Sequence, residues 1–190
     1  MATNNASSIW RTARLVASLV VLMTAAYYSL VAFDNITNPQ SNWAFIQGVL
    51  SGDGVNEAAG AGFEWHYIDN EAFQLVGYIT VIACETLTGI LLLIGGFTGL
   101  FRTRDDVAWA AAQKWTYFGG FLGLGVFFFG FLTVGGNWFI MYLNEKWNGM
   151  EPAFQNSVMT ITMLILVTGV LVGSQVGAAL KDTESASEAA

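Results

Sequence analysis

Residues 73–100 read FQLVGYITVIACETLTGILLLIGGFTGL, with Glu85 as the one charged residue. A helix needs roughly 20 apolar residues to cross a hydrocarbon core about 30 Å thick, and this run exceeds that. Lipid offers no water to unpaired backbone amides, each of which costs several kcal/mol, so such a run must coil. Three more segments read the same way. Residues 12–33 carry only Arg14 near their start, and neither 115–141 nor 158–180 carries a charge. The second and third segments are long enough to tilt or to project beyond the membrane.

Composition agrees with four spans. Of 190 residues, 54% are hydrophobic and only 11% charged, with a mean hydropathy of +0.51, whereas a soluble domain carries about 25% charged residues. The expected fold is therefore all-α: a polytopic membrane protein built as a four-transmembrane-helix bundle, one domain over residues 1–180. The Ser-, Ala- and Glu-rich end, 181–190, reads as a disordered tail. The first segment has the basic start of a signal peptide. Its run is too long, however, and Tyr27, Tyr28, Phe33 and Asp34 stand where small residues should mark cleavage. It reads as a retained anchor.

Lysine and arginine in the short loops set orientation. Arg11 and Arg14 precede the first span, and Arg102, Arg104 and Lys114 lie between the second and third. The first loop has no basic residue and carries Asp34, Asp53, Glu57, Glu64, Asp69 and Glu71, and the third has only Lys146. Both termini and the second loop are thus expected in the cytoplasm, and the other two loops outside, in a bacterial inner membrane. Seven basic residues so placed make no nucleic-acid footprint.

Greasy faces do not drive helices together in lipid, whereas small residues permit close contact. Gly169, Gly173 and Gly177 fall on one face of the last span, and Gly119 and Gly123 on the third. They serve either packing within the bundle or, on the last span above all, contact with another subunit or a second copy. In the first outer loop, Trp43, Ile46 and Leu50 share a helical face before Gly52 and Gly54, which predicts a short interfacial helix or cap. Pro152 suits the first turn of the last helix. Trp43, Trp65, Trp138, Phe139, Trp147, Asn148 and Gly149 form an outer aromatic set, read either as a membrane–water belt or as a docking surface.

Some of these residues carry a family likeness. Asp34-Asn35-Ile36-Thr37, then Ser41-Asn42 and Phe45, Glu85, and Gly135-Gly136-Asn137-Trp138-Phe139-x-Met141 with Trp147-Asn148-Gly149 and Ala153-Phe154 form the pattern. It resembles a bacterial family of predicted small integral membrane proteins, a domain of unknown function. The resemblance implies a four-helix membrane protein and supplies no reaction. In the family pattern an arginine follows the tryptophan before the second span, whereas here Trp65 is followed by His66. Claudin-like proteins share the four-span outline but need a cysteine pair in the first loop, and the sole cysteine is Cys84.

Glu85 is the leading chemical candidate, because a charge at the centre of a span costs at least about 2.5–3.5 kcal/mol and the neutral carboxyl is the cheaper form there. Gln74, Tyr78, Thr88, Gly89 and Gly96 share its face, which should point into the bundle. Tyr27, Tyr28, Thr133 and Asn137 are its expected partners. The residue is either a proton or cation site or an interhelical hydrogen bond that fixes packing. His66, among Glu64, Asp69 and Glu71, makes a poor metal site with a single imidazole, and one histidine outside the spans excludes a bis-histidine haem site. Cys84 reads as a small apolar residue. No nucleotide, hydrolase or metalloprotease motif is present, so neither cofactor nor catalytic residue is expected. Two functions remain as expectations. One is a non-enzymatic accessory or assembly subunit acting with other membrane subunits or as a homo-oligomer in the lipid bilayer. The other is a small proton- or cation-coupled transporter or channel using Glu85.

Overall fold

The first amides of a helix have no partner within it, and side chains at the N-cap supply one. Asn70 does so for Phe73 N (3.0 Å), Asp105 for Ala108 N (2.9 Å) and Asn148 for Met150 N (3.1 Å). In the computed structural model, which describes residues 2–188, these caps start three of the long helices. The helices are α1 (Ala2–Thr37), α2 (Pro39–Ser51), the single turn α3 (Glu57–Gly60), α4 (Glu71–Phe101), α5 (Asp106–Leu124) and α6 (Met150–Glu188). α5 continues unbroken into a π-helical stretch, Gly125–Trp138.

Four spans result, Ser8–Thr37, Glu71–Phe101, Asp106–Trp138 and Met150–Leu180, each with a mean hydropathy of 1.9–2.0. At about 1.5 Å per residue each is longer than a hydrocarbon core is thick. α1 packs against α4 and α6, and α5 against the same two, so the spans close into a ring of antiparallel neighbours. The outer faces are covered by large apolar side chains such as Met23, Phe33, Val76, Phe101, Phe121 and Ile165. A soluble monomer rarely exposes apolar surface on this scale. Arg11, Arg102 and Arg104 mark the basic end of the bundle, and the first and third loops its acidic end.

Three expectations change. Each spanning helix is longer than its apolar segment, because capping and turn residues join the coil, although the third ends at Trp138, short of the expected residue 141. The second half of the third span is π- rather than α-helical: Phe139 N reaches Val134 O, and the Thr133 and Asn137 side chains donate to Phe128 O and Leu132 O, five residues back. Such stretches are rare and usually a single turn. Finally, α6 continues to Glu188 where a disordered tail was expected. Its alanines, glutamates and Lys181 are good helix formers that extend a helix already nucleated. Residues 189 and 190 of that tail lie outside the described residues.

The expected helix in the first loop is α2, ended by Gly52 in the left-handed region (φ 74°). A Cβ there would run into the Tyr67 ring. α2 lies over the acidic end against α4, so it caps the bundle. At the basic end Arg14 is buried. It pairs with Asp106 (2.5 Å) and donates to Thr103 O (3.1 Å), which ties α1 to the turn between α4 and α5. Deeper in, Trp109 Nε1 donates to Ser18 Oγ (3.1 Å) and Thr116 Oγ1 to Gln113 Oε1 (3.1 Å). Val21, Ala25, Leu92, Met163 and Val167, all fully buried, then form an apolar layer between these groups and the acidic-end half.

Candidate functional site

A carboxyl in an apolar bundle needs partners or space, and Glu85 has both. It turns inward from α4 and is 2% exposed. Midway along α4, it is level with Asn35, two residues before the end of α1, so it sits in the acidic-end half rather than at the bundle's centre. Asn35 Nδ2 donates to Glu85 Oε2. Tyr78 Oη in turn donates to the Asn35 carbonyl (3.0 Å), which fixes that turn of α1.

None of the four expected partners bonds Glu85. Tyr27 donates to Asn156 Oδ1 (2.6 Å), and Tyr28 shares a hydrogen bond with Thr160 (2.8 Å). Thr133 and Asn137 bond their own helix. The true partner, Asn35, was hidden by its place in a loop motif rather than in an apolar run.

Beside Glu85 lies a cavity of about 220 Å³. Its polar lining is Asn35, Asn42, Tyr78, Glu85 and Asn156, and Phe45, Phe127 and Phe131 supply much of the rest. α1, α2, α4, the π stretch and the start of α6 all contribute to it. Among the described residues Glu85 Oε1, Asn35 Oδ1, Asn156 Nδ2 and the whole Asn42 amide make no hydrogen bond. The cavity thus offers a carboxyl oxygen and amide groups with spare capacity. Phe45, Ile46, Val81 and Phe131 divide it from a second, apolar cavity of about 130 Å³ under α2.

The face predicted from spacing is only partly one site. Gln74 fastens the start of α4 instead: its Nε2 donates to Ile68 O (2.9 Å), and its Oε1 accepts from Gln47 Nε2 (3.4 Å). Thr88 is one turn deeper than Glu85 and fully buried, and its hydroxyl has no partner among the described residues.

α2 is held down as a roof. Phe45 stacks on Phe131 (centroids 5.9 Å apart), and the Trp147 indole lies directly over Gly48, where any Cβ would collide with it. Asn144 joins the first and third loops. Its Nδ2 donates to Asp53 O (2.8 Å), and its Oδ1 accepts from Trp147 N (2.7 Å) and Lys146 N (3.0 Å). The aromatic set therefore divides. Phe139 is buried with Val49 and Met141, Trp43 packs edge-on to Tyr78, Asn148 caps α6 and Gly149 meets Phe45. Of its aromatic rings, Trp65 and Trp138 remain largely exposed, at 70% and 47%.

A family model described as "Predicted small integral membrane protein (DUF2165)" matches residues 13–169. The chain belongs to this family. No curated protein and no solved structure matches it.

In this small integral membrane protein, the matched region takes in the second and third spans whole, most of the first and fourth, the α2 roof and every residue of the Glu85 cavity. His66 joins the first loop to the third span: its Nδ1 donates to Trp138 O (2.6 Å), and its ring lies against both Trp65 and Trp138. Among the described residues no cluster of three metal-ligating side chains occurs. Gly119 abuts Leu91 and Leu92, Gly123 the Tyr28 hydroxyl, and Gly173 and Gly177 the Trp10 indole. Those four serve packing within the chain, whereas a Cβ on Gly169 would meet nothing.

The loop junction carries a pH prediction. Hydrogen bonds from Trp147 Nε1 (3.1 Å) and then Lys146 Nζ (3.0 Å) hold the Asp53 carboxyl below its ordinary value of 3.8. A depressed folded value means that the contribution is complete above about pH 4 and is lost as pH falls through the lower value. Trp147 fluorescence is expected to be flat from pH 7 to about 4 and to change only below that, a change absent in Asp53→Asn.

Proposed function

We propose that this is a non-enzymatic protein of the bacterial inner membrane, with both termini cytoplasmic, that works through the Glu85 cavity as a binding site for a proton-bearing or cationic species entering from the acidic side. The observation that carries this reading is the cavity itself: a carboxyl oxygen without a partner borders open space. A carboxyl that only fixed packing would spend both oxygens on neighbouring helices. The acidic loops, where Lys146 is the sole lysine or arginine and is paired with Asp53, favour cations at that end. The apolar layer beneath Glu85 favours binding from one side over a continuous path. Coupled transport would require that layer to open.

Dicyclohexylcarbodiimide, an apolar reagent for protonated carboxyls, tests this reading. Peptide mass spectrometry of the detergent-purified protein should find Glu85 modified in preference to the other carboxyls. A Glu85 left unmodified under conditions that label loop carboxyls would mean a sealed, structural carboxyl.

A second reading, an accessory or assembly subunit, is favoured by the uncovered surface at Gly169 and the exposed Trp65–Trp138 pair. It predicts co-purification with a membrane partner or a second copy in mild detergent, reduced by Gly169→Leu or Trp65→Ala. A monodisperse lone monomer by native mass spectrometry would count against it.

A further inference from the structure

The geometry points to a primary organic ammonium with a compact apolar body as the ligand of the Glu85 cavity. This rests on the binding-site reading above and names its chemical class.

Three features select that class. First, the polar groups are a carboxyl and amides with no basic residue among them, so an anion finds no counter-charge. An ammonium finds three acceptors, Glu85 Oε1, Asn35 Oδ1 and the Asn42 amide oxygen, for its three N–H donors. Second, a bare metal ion is poorly served. Hard cations take six or more oxygens, and among the described residues no cluster of ligating side chains exists. Third, the remaining wall is aromatic and aliphatic. Phe45, Phe127 and Phe131 suit both the attraction of a cation to a ring face and the burial of an apolar body. The adjoining apolar cavity beyond Phe45 and Phe131 gives that body room to extend.

Size narrows the class further. A cavity of about 150 Å³ accommodates benzene, so the 220 Å³ here takes about nine non-hydrogen atoms on the same scale. Phenethylammonium has this size, and 2-phenylethanol is its neutral isostere. The ammonium could belong to a free amine or to the headgroup of an ethanolamine lipid reaching in beneath α2, since both present the same donor group.

The test is binding of phenethylammonium to the full-length protein in phosphatidylcholine nanodiscs, by calorimetry and by protection of Glu85 from carbodiimide. Saturable binding is expected, with 2-phenylethanol, potassium and Glu85→Gln each weaker by at least about tenfold, as for loss of a buried charge partner. Asn42→Trp, which fills the cavity from the roof and leaves Glu85 intact, should abolish binding too, so the outcome does not hang on the folding of Glu85→Gln. Repeating the titration in nanodiscs containing phosphatidylethanolamine separates the sources: competition identifies the lipid headgroup, and undiminished binding a free amine. Equal affinity for the alcohol, or undiminished binding by either variant, would overturn the assignment. Glu85 that is labelled by carbodiimide but unprotected by the amine would sink the ammonium alone, and unlabelled Glu85 would sink the cavity reading with it.

Discussion

Gly95→Leu is expected to destabilise the bundle by about 3 kcal/mol or more, the upper range for overpacking. A Cβ at this position of α4 would meet Thr116 N at 2.8 Å and Thr116 Cα at 3.3 Å. Those are backbone atoms of α5, which no rotamer change can withdraw, so the two helices must part. Parting them also disturbs the neighbouring Gln113–Thr116 and Trp109–Ser18 hydrogen bonds. Gly169→Leu is the matched control: the same change on α6 enters open space and should alter stability by no more than about 0.5 kcal/mol. Thermal unfolding in detergent, read by loss of monomer in size-exclusion chromatography, separates the two. Equal Tm values would mean that α4 and α5 do not lie this close.

Asn144→Ala is expected to release the α2 roof at a cost of about 2–4 kcal/mol, from several hydrogen bonds at about 1 kcal/mol each plus the donors left unpaired. Asn144 is buried and serves Asp53 O, Trp147 N and Lys146 N at once. Without it, the third loop keeps only Glu145 N on Gly54 O (3.0 Å) and the exposed Lys146 and Trp147 bonds to the Asp53 carboxyl as hydrogen bonds to residues 52–54, and the Trp147 backbone loses the bond that seats its ring on Gly48. Proteolysis between α2 and α4 should accelerate, and Glu85 should react faster with carbodiimide because its cover has loosened. The four spans should persist, with unchanged helical circular dichroism. A proteolysis rate equal to wild type would show that α2 is held without Asn144, by α4, the Phe45–Phe131 stack and the remaining loop bonds.

The fold was legible because hydropathy reports a solvent, not a contact. Residues 73–100 have no water to turn to, and that fact requires no knowledge of neighbours. Glu85 was legible for the same reason, as an expensive group that must face inward. Its setting was not. Asn35 lies 50 positions away at the end of another helix, and Asn42 and Asn156 look like ordinary loop and cap residues until three helices converge on them. The aromatic residues misled in a different way. Tryptophan at a membrane boundary is common enough that position alone does not separate Trp147, seated on Gly48, from Trp65, which is largely exposed beside His66 and Trp138. The π turn was likewise hidden: Gly125, Gly130 and Gly135 follow a five-residue repeat, but a reading in steps of three and four passes over it.

Whether the Glu85 cavity opens to the side of the acidic first loop is best measured by sided thiol chemistry. With Cys84 replaced by serine and Asn42→Cys added, a membrane-impermeant thiosulfonate is applied to right-side-out and to inverted vesicles. Glu57→Cys, on the exposed first loop, serves as the reporter of that side. Both cysteines are expected to react in right-side-out vesicles only, and the modified Asn42→Cys protein should no longer yield carbodiimide-labelled Glu85. Reaction of the residue-42 thiol from the inverted face, or full Glu85 labelling after its modification, would contradict an opening on that side.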